Sequence, residues 1–88
     1  MNNLKYIVGE FRNNDFSVSI GAVIFPETMT HADVARSLRA VDVLGAGFFY
    51  INDMQAVVYG RSGSLNVDSR PEDLKAINKI LGFGNENG

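Results

Sequence analysis

The chain has 88 residues, of which 45% are hydrophobic and 20% charged, with a formal net charge of −2. This composition predicts one folded domain with a single core, and it argues against disorder. The negative net charge argues against a general nucleic-acid binder, and its magnitude is too small for a DNA mimic. The chain has no cysteine, which excludes disulfides and thiolate metal sites.

The sequence also bears on location and on the extent of the domain. No apolar run approaches the roughly 18 residues of a membrane-spanning helix, and the amino terminus lacks the apolar block of a signal peptide. We therefore expect a cytoplasmic protein without a membrane partner. We expect a single domain over residues 1–88, with an ordered core at about 4–83 and a flexible tail at 84–88.

The first half of the chain predicts two strands and a helix. Leu4 to Phe11 reads as a strand that ends in a polar turn. The next segment, Phe16 to Phe25, alternates and predicts a strand that Pro26 ends, with its apolar side formed by Phe16, Val18, Ile20, Ala22 and Ile24. Thr30 is a helix N-cap. We expect the inner stripe of that helix to be Val34 or Ala35 with Leu38 and Val41.

The second half predicts two more strands and a second helix. Val43 to Ile51 reads as a strand whose two glycines permit a bulge or a close backbone approach. Asn52 to Gln55 turns into a long fourth strand with its apolar parity at Val57, Tyr59, Leu65 and Val67. Ser69 and Glu72 form a capping box before a helix that Gly82 ends, after which Phe83 can fold back onto the helix. The expected inner stripe of this helix is Leu74, Ile77, Ile80 and Leu81.

The predicted fold class is α+β, in the order ββαββα. Two hairpins and two amphipathic helices are most economically buried as a four-stranded, largely antiparallel sheet with both helices on one face.

Three segments resemble small, mostly uncharacterised proteins of bacteriophages and prophages. They are IFPETMTHADVARSL at 24–38, LGAGFFYI at 44–51 and YGRSGSLNVDSRPEDLKAINKILG at 59–82. The resemblance carries no activity that transfers residue by residue. It implies that this chain is a phage protein located in the cytoplasm of the host bacterium. Small phage proteins often bind and block a host protein, including components of antiviral defence such as CRISPR systems.

The chemically suggestive residues give no catalytic, cofactor or metal site. His31 with Glu27 and Asp33 cannot close a coordination shell, and we expect His31 to be a solvated residue of the first helical turn. The stretch Gly60 to Ser64 lacks the phosphate-loop pattern. Neither of its serines lies in a nucleophile elbow.

The remaining candidate is a surface for a partner protein. If both helices cover one side of the sheet, the other side carries small polar residues around an aromatic anchor, predicted as Ser17, Ser19, Phe49, Ser62, Ser64 and Asn66. An ordinary solvated face fits the same pattern. We expect a non-enzymatic inhibitor or adaptor that binds a bacterial protein. The alternatives are a homodimeric or larger accessory phage protein and a small hydrolase or nucleotide-binding protein.

Overall fold

The computed structural model describes residues 4–82 and confirms the α+β class and the four-stranded antiparallel sheet. The predictions for Phe83 and for the tail at 84–88 lie outside the described residues. The elements are β1 Leu4–Arg12, β2 Val18–Pro26, α1 His31–Ser37, β3 Asp42–Asn52, β4 Gln55–Tyr59, β5 Arg61–Ser62, β6 Val67–Asp68 and α2 Asp73–Leu81. Strand order in the sheet is β2-β1-β3-β4.

The two helices lie on opposite faces of the sheet, so the prediction of both on one face is wrong. Tyr6 and Val8 of β1 share a buried cluster with Ile77 of α2. Ile7, which alternates with them, belongs to a second cluster with Val34 of α1. The reason is visible in β1 itself, which is a central strand with apolar residues on both parities, and such a strand needs cover on both sides.

A short hairpin, β5–β6, interrupts the predicted fourth strand and adds two strands to the expected order. β4 stops at Tyr59, and Gly60 then takes a left-handed conformation with φ of 76°. Asn66 is also left-handed, with φ of 58°, in the turn that joins β5 to β6. Leu65 and Val67 pack into the same core cluster as α1. The alternation that predicted a long strand therefore belongs to two separate elements.

Helix α1 begins as predicted and ends early. The Thr30 side chain accepts a hydrogen bond from the backbone N–H of Asp33 at 3.1 Å, which confirms the N-cap. The helix ends at Ser37, so Leu38 and Val41 are exposed and do not extend its inner stripe.

A Schellman motif ends α1. The N–H of Arg39 donates to Arg36 O and that of Ala40 to Ala35 O, at 3.1 and 3.0 Å. Arg39 is left-handed, with φ of 55°, at the position that usually holds glycine.

Helix α2 does not use the predicted capping box. Ser69 donates its backbone N–H to Gly60 O at 3.0 Å, and Glu72 makes no side-chain cap within the described residues. Ile77 is fully buried, and Leu74 and Leu81 pack against the same cluster, as the helical pattern predicted. Ile80 is 46% exposed, so its place in the inner stripe was wrong. The left-handed Gly82 ends the helix, as expected, with φ of 78°.

The glycines of β3 serve both predicted purposes. The β1–β3 register shifts between Val8, which pairs with Gly45, and Gly9, which pairs with Val43, so Leu44 is the extra residue of a bulge. A Cβ on Gly45 would lie 2.2 Å from a carboxylate oxygen of Asp73. The bare backbone at this position therefore makes room for the first residue of α2.

Candidate binding surface

The predicted anchor Phe49 lies in the core and cannot contact a partner. It is fully buried on the α2 side of the sheet, with its ring 6.4 Å from that of Tyr6 in an edge-to-face arrangement. Its neighbours Phe48 and Tyr50 are half-buried, and both rings lie within 6 Å of the ring of Tyr59. The prediction placed both helices on the opposite side of the sheet from Phe49, whereas α2 covers the side on which Phe49 lies.

The predicted polar residues separate into two hairpins. Ser17 and Ser19 are exposed at the β1–β2 hairpin, where both hydroxyls bond within the turn. The other three belong to the β5–β6 hairpin, where Ser62 is buried and its hydroxyl accepts the N–H of Leu65, while Ser64 accepts the N–H of Ala32 and Asn66 accepts from Arg61. No single face carries all six predicted residues.

His31 is a buried structural residue, so the expectation of a solvated side chain is wrong. Its Nε2–H donates to the carbonyl of Gly47 at 2.8 Å, and its ring meets Phe25 and Phe48 edge to face. Burial lowers the pKa of His31, and the nearby Lys5 cation lowers it further, while the bond to Gly47 opposes the shift. The neutral imidazole thus packs α1 onto β3.

A buried carboxylate anchors α2 to the sheet. Asp73 accepts from the hydroxyl of Tyr6 at 2.6 Å and from the backbone N–H of Arg70 at 2.9 Å, and the guanidinium of Arg70 contacts its other oxygen at 2.7 Å. Burial raises the pKa of Tyr6, and the bond to Asp73 raises it further. Every oxygen of Asp73 is satisfied, which is what a structural charge in the core requires.

Strand β2 forms an edge of the sheet and lacks the features that usually protect such an edge. Its nine residues, VSIGAVIFP, include no charged side chain, and its proline is at the far end. Ala22 and Ile24 pack against the core. On the same parity, Val18 is 44% exposed and Ile20 is 65% exposed. The first half of β2 therefore offers both free backbone groups and apolar side chains.

The turn before β2 holds an aromatic residue in an unfavourable conformation. Phe16 donates its N–H to Asn13 O, and Asn13 donates its own to Ser17 O, which is the pattern of a type I turn followed by a left-handed residue. Glycine is preferred at that last position, yet Phe16 occupies it with φ of 69° and 78% of its surface exposed.

A pocket of about 430 Å³ lies between this turn and the end of α1. Its lining consists of Arg12, Asn13, Asn14, Phe16, Leu38 and Arg39. The sequence analysis identified the first of these residues only as a polar turn after β1. A Phe immediately after Asn-Asn-Asp was the one available signal, because that position in a short hairpin loop favours glycine.

The described residues contain no helix long and apolar enough to cross a membrane. Nor do residues 4–82 bring three His, Cys, Asp or Glu side chains together in a group that could hold a metal ion. No family model, curated protein or solved structure matches the chain.

Proposed function

We propose that this protein is a non-enzymatic binding module whose edge strand β2 pairs with an extended segment of a partner protein. The observation that carries the proposal is the uncharged edge of β2 with Val18 and Ile20 exposed beside it. Added strands gain affinity from main-chain hydrogen bonds and specificity from alternate side chains. A partner strand with apolar residues on the matching parity would cover both side chains.

The chemistry of the buried polar groups supports a binding role over a catalytic one. His31 donates to a backbone carbonyl while its ring packs against two aromatic rings, and Asp73 is fully engaged by Tyr6 and Arg70. These groups stabilise the two helix starts. The resemblance to small phage proteins favours a bacterial host protein as the partner, with inhibition of a defence component as the sharpest version.

A second candidate is a homodimer through the same strand. Antiparallel pairing of β2 with its own copy gives a twofold interface in which the same patch serves both subunits. Because β2 has no charged residue, such pairing places no like charges opposite each other along the strand.

Substitution of the edge tests the proposal. Ile20→Lys should leave the fold intact, because the side chain is 65% exposed and surface changes usually alter stability by less than about 0.5 kcal/mol. It should abolish strand pairing, since a lysine on an edge is a common natural barrier to it. Ile80→Lys is the matched control, because Ile80 is 46% exposed but lies on α2.

Two measurements distinguish the candidates. Sedimentation over a range of concentrations should reveal a dimer that Ile20→Lys dissociates, if the partner is a second copy. If the partner is a host protein, a bacterial lysate should yield a protein retained by the wild type and Ile80→Lys but lost with Ile20→Lys, and binding should slow amide exchange at 18–21. Equal retention by both variants, or protection elsewhere only, would refute the edge as the interface.

A further inference from the structure

The pocket beside the β1–β2 turn is lined by two residues that take left-handed conformations at positions where glycine is preferred. Phe16 follows the type I turn and Arg39 ends the Schellman motif of α1, with φ of 69° and 55°. A bulky residue in this region is strained, and strained residues cluster at functional sites. Here two of them, from different elements, line one pocket.

The pocket carries positive charge that the fold leaves available. Within residues 4–82, neither Arg12 nor Arg39 forms an ion pair. Arg12 donates one N–H to the carbonyl of Phe16 at 3.2 Å, and a guanidinium has five such donors. The two arginines therefore hold free donors in a chain whose net charge is negative.

The end of α1 has little negative charge to oppose an anion. The carbonyls of Val34, Ala35 and Arg36 all accept bonds from the backbone N–H groups of residues 38–40. The partial negative charge of a helix C-terminus comes from its last four carbonyls when they are unsatisfied, and these are three of the four. Arg39 lies directly at this end and adds a full positive charge.

We propose that this pocket binds a nucleoside phosphate, a small anion that joins a flat ring to a phosphate. The exposed ring of Phe16 is a stacking surface for the base. One guanidinium group can bind two phosphate oxygens at once, so Arg12 and Arg39 suit the dianionic phosphate group of the ligand. The volume of about 430 Å³ is within the usual range of small-ligand sites. The site is independent of strand pairing at β2.

The test is a titration followed by amide chemical shifts, with adenosine monophosphate as the probe. Shifts should appear at residues 12–16 and 38–39, and the apparent Kd should be at least about tenfold lower than for adenosine or for inorganic phosphate alone. No shift at millimolar probe would overturn the proposal. Equal affinity for either fragment would overturn it as well, because the ring and the phosphate would then not be recognised together.

Substitutions separate a ligand site from a structural turn. Phe16→Gly should abolish binding without lowering the thermal midpoint, because glycine fits the left-handed turn position. Met54→Gly is the matched control: Met54 is left-handed, with φ of 62°, and 74% exposed, but it does not line the pocket. It should keep full binding.

A second pair of variants tests the charge. Arg39→Gln should weaken binding at least about tenfold, whereas Arg36→Gln, which removes an exposed arginine inside the adjoining helix α1, should leave it within about twofold. Unchanged binding in Phe16→Gly or Arg39→Gln would refute the site. Ile20→Lys should bind the probe like the wild type, so the nucleotide site and the β2 interface can fail separately.

Discussion

Removal of the Tyr6 hydroxyl should measurably destabilise the protein. In Tyr6→Phe the buried carboxylate of Asp73 loses a hydrogen bond of 2.6 Å, and both side chains are fully buried. A hydrogen bond to a charged group contributes about 1.5–3 kcal/mol, so the free energy of unfolding should fall by that amount. This is a large part of the 5–15 kcal/mol that is typical of whole domains.

Urea denaturation followed by far-ultraviolet circular dichroism suits the measurement, because the chain has no tryptophan. The slope of the free energy against urea should stay constant while the midpoint drops. Tyr59→Phe is the control: its ring is 37% exposed and stacks on Phe48, so the loss should be below about 0.5 kcal/mol.

A double-mutant cycle with Asp73→Ala isolates the interaction between the two side chains. Since they touch directly, their coupling energy should be close to the cost of Tyr6→Phe, about 1.5–3 kcal/mol. Additive effects of the two substitutions, or a Tyr6→Phe variant as stable as the parent, would show that this contact does not anchor α2.

Three further predictions follow from contacts in the fold. Gly45→Ala should destabilise by about 1–3 kcal/mol, because its Cβ would lie 2.2 Å from a carboxylate oxygen of Asp73, whereas Gly63→Ala, with nothing within 4 Å, should be neutral in the same urea assay; equal effects would contradict the close approach. Burial lowers the pKa of His31, so at a pH just below its ordinary value of about 6.5 only the unfolded state takes up a proton, and the urea midpoint should fall as the pH drops from about 7.5 to 5.5. A His31→Phe variant should lose the part of this pH dependence that comes from His31. The same change of midpoint with pH in both proteins would argue against a buried neutral ring. Ser69→Ala should change the free energy of unfolding by less than about 0.5 kcal/mol, because within residues 4–82 only the backbone of Ser69 makes a hydrogen bond; a larger loss would argue for the capping box.

Local patterns predicted the elements well where local chemistry decides them. Thr30 caps α1, Gly82 ends α2, and Asn52 to Gln55 turns between two strands, all from short-range signals. The glycines of β3 also gave a bulge and a close approach, as expected. Each of these features depends on residues that are neighbours in the chain or on the missing side chain of a glycine.

The arrangement of the elements was not predictable in the same way. The apolar run of Tyr6, Ile7 and Val8 is compatible with a strand covered on either side or on both. The position of α2, opposite α1, determines that β1 is covered on both sides. The capping box failed for a related reason. Asp73 finds Tyr6, 67 positions away in the chain, and this distant partner outweighs the local pairing of Ser69 with Glu72.

The predicted binding face failed because it was derived from the wrong arrangement of helices. The helices cover opposite sides of the sheet, so Phe49 is buried under α2. The β5–β6 hairpin packs beside α1, where Ser62 is a buried turn residue and Ser64 is a hydrogen-bond partner of α1. The pocket is lined by both Arg12 of β1 and Arg39, which follows α1. Alternation and helical spacing are local patterns, so they do not show that these two residues lie near each other in the fold.

The burial of β1 from both sides also affects how the chain is made. Among the elements of residues 4–82, β1 is synthesised first. Ile77, which helps to cover Tyr6 and Phe49, emerges from the ribosome only after β1 to β6. Until residues 73–81 emerge, the nascent sheet has one bare apolar face, although α1 can already cover the other. A chain interrupted before α2 would therefore expose that face, which makes it a ready target for chaperones and proteases.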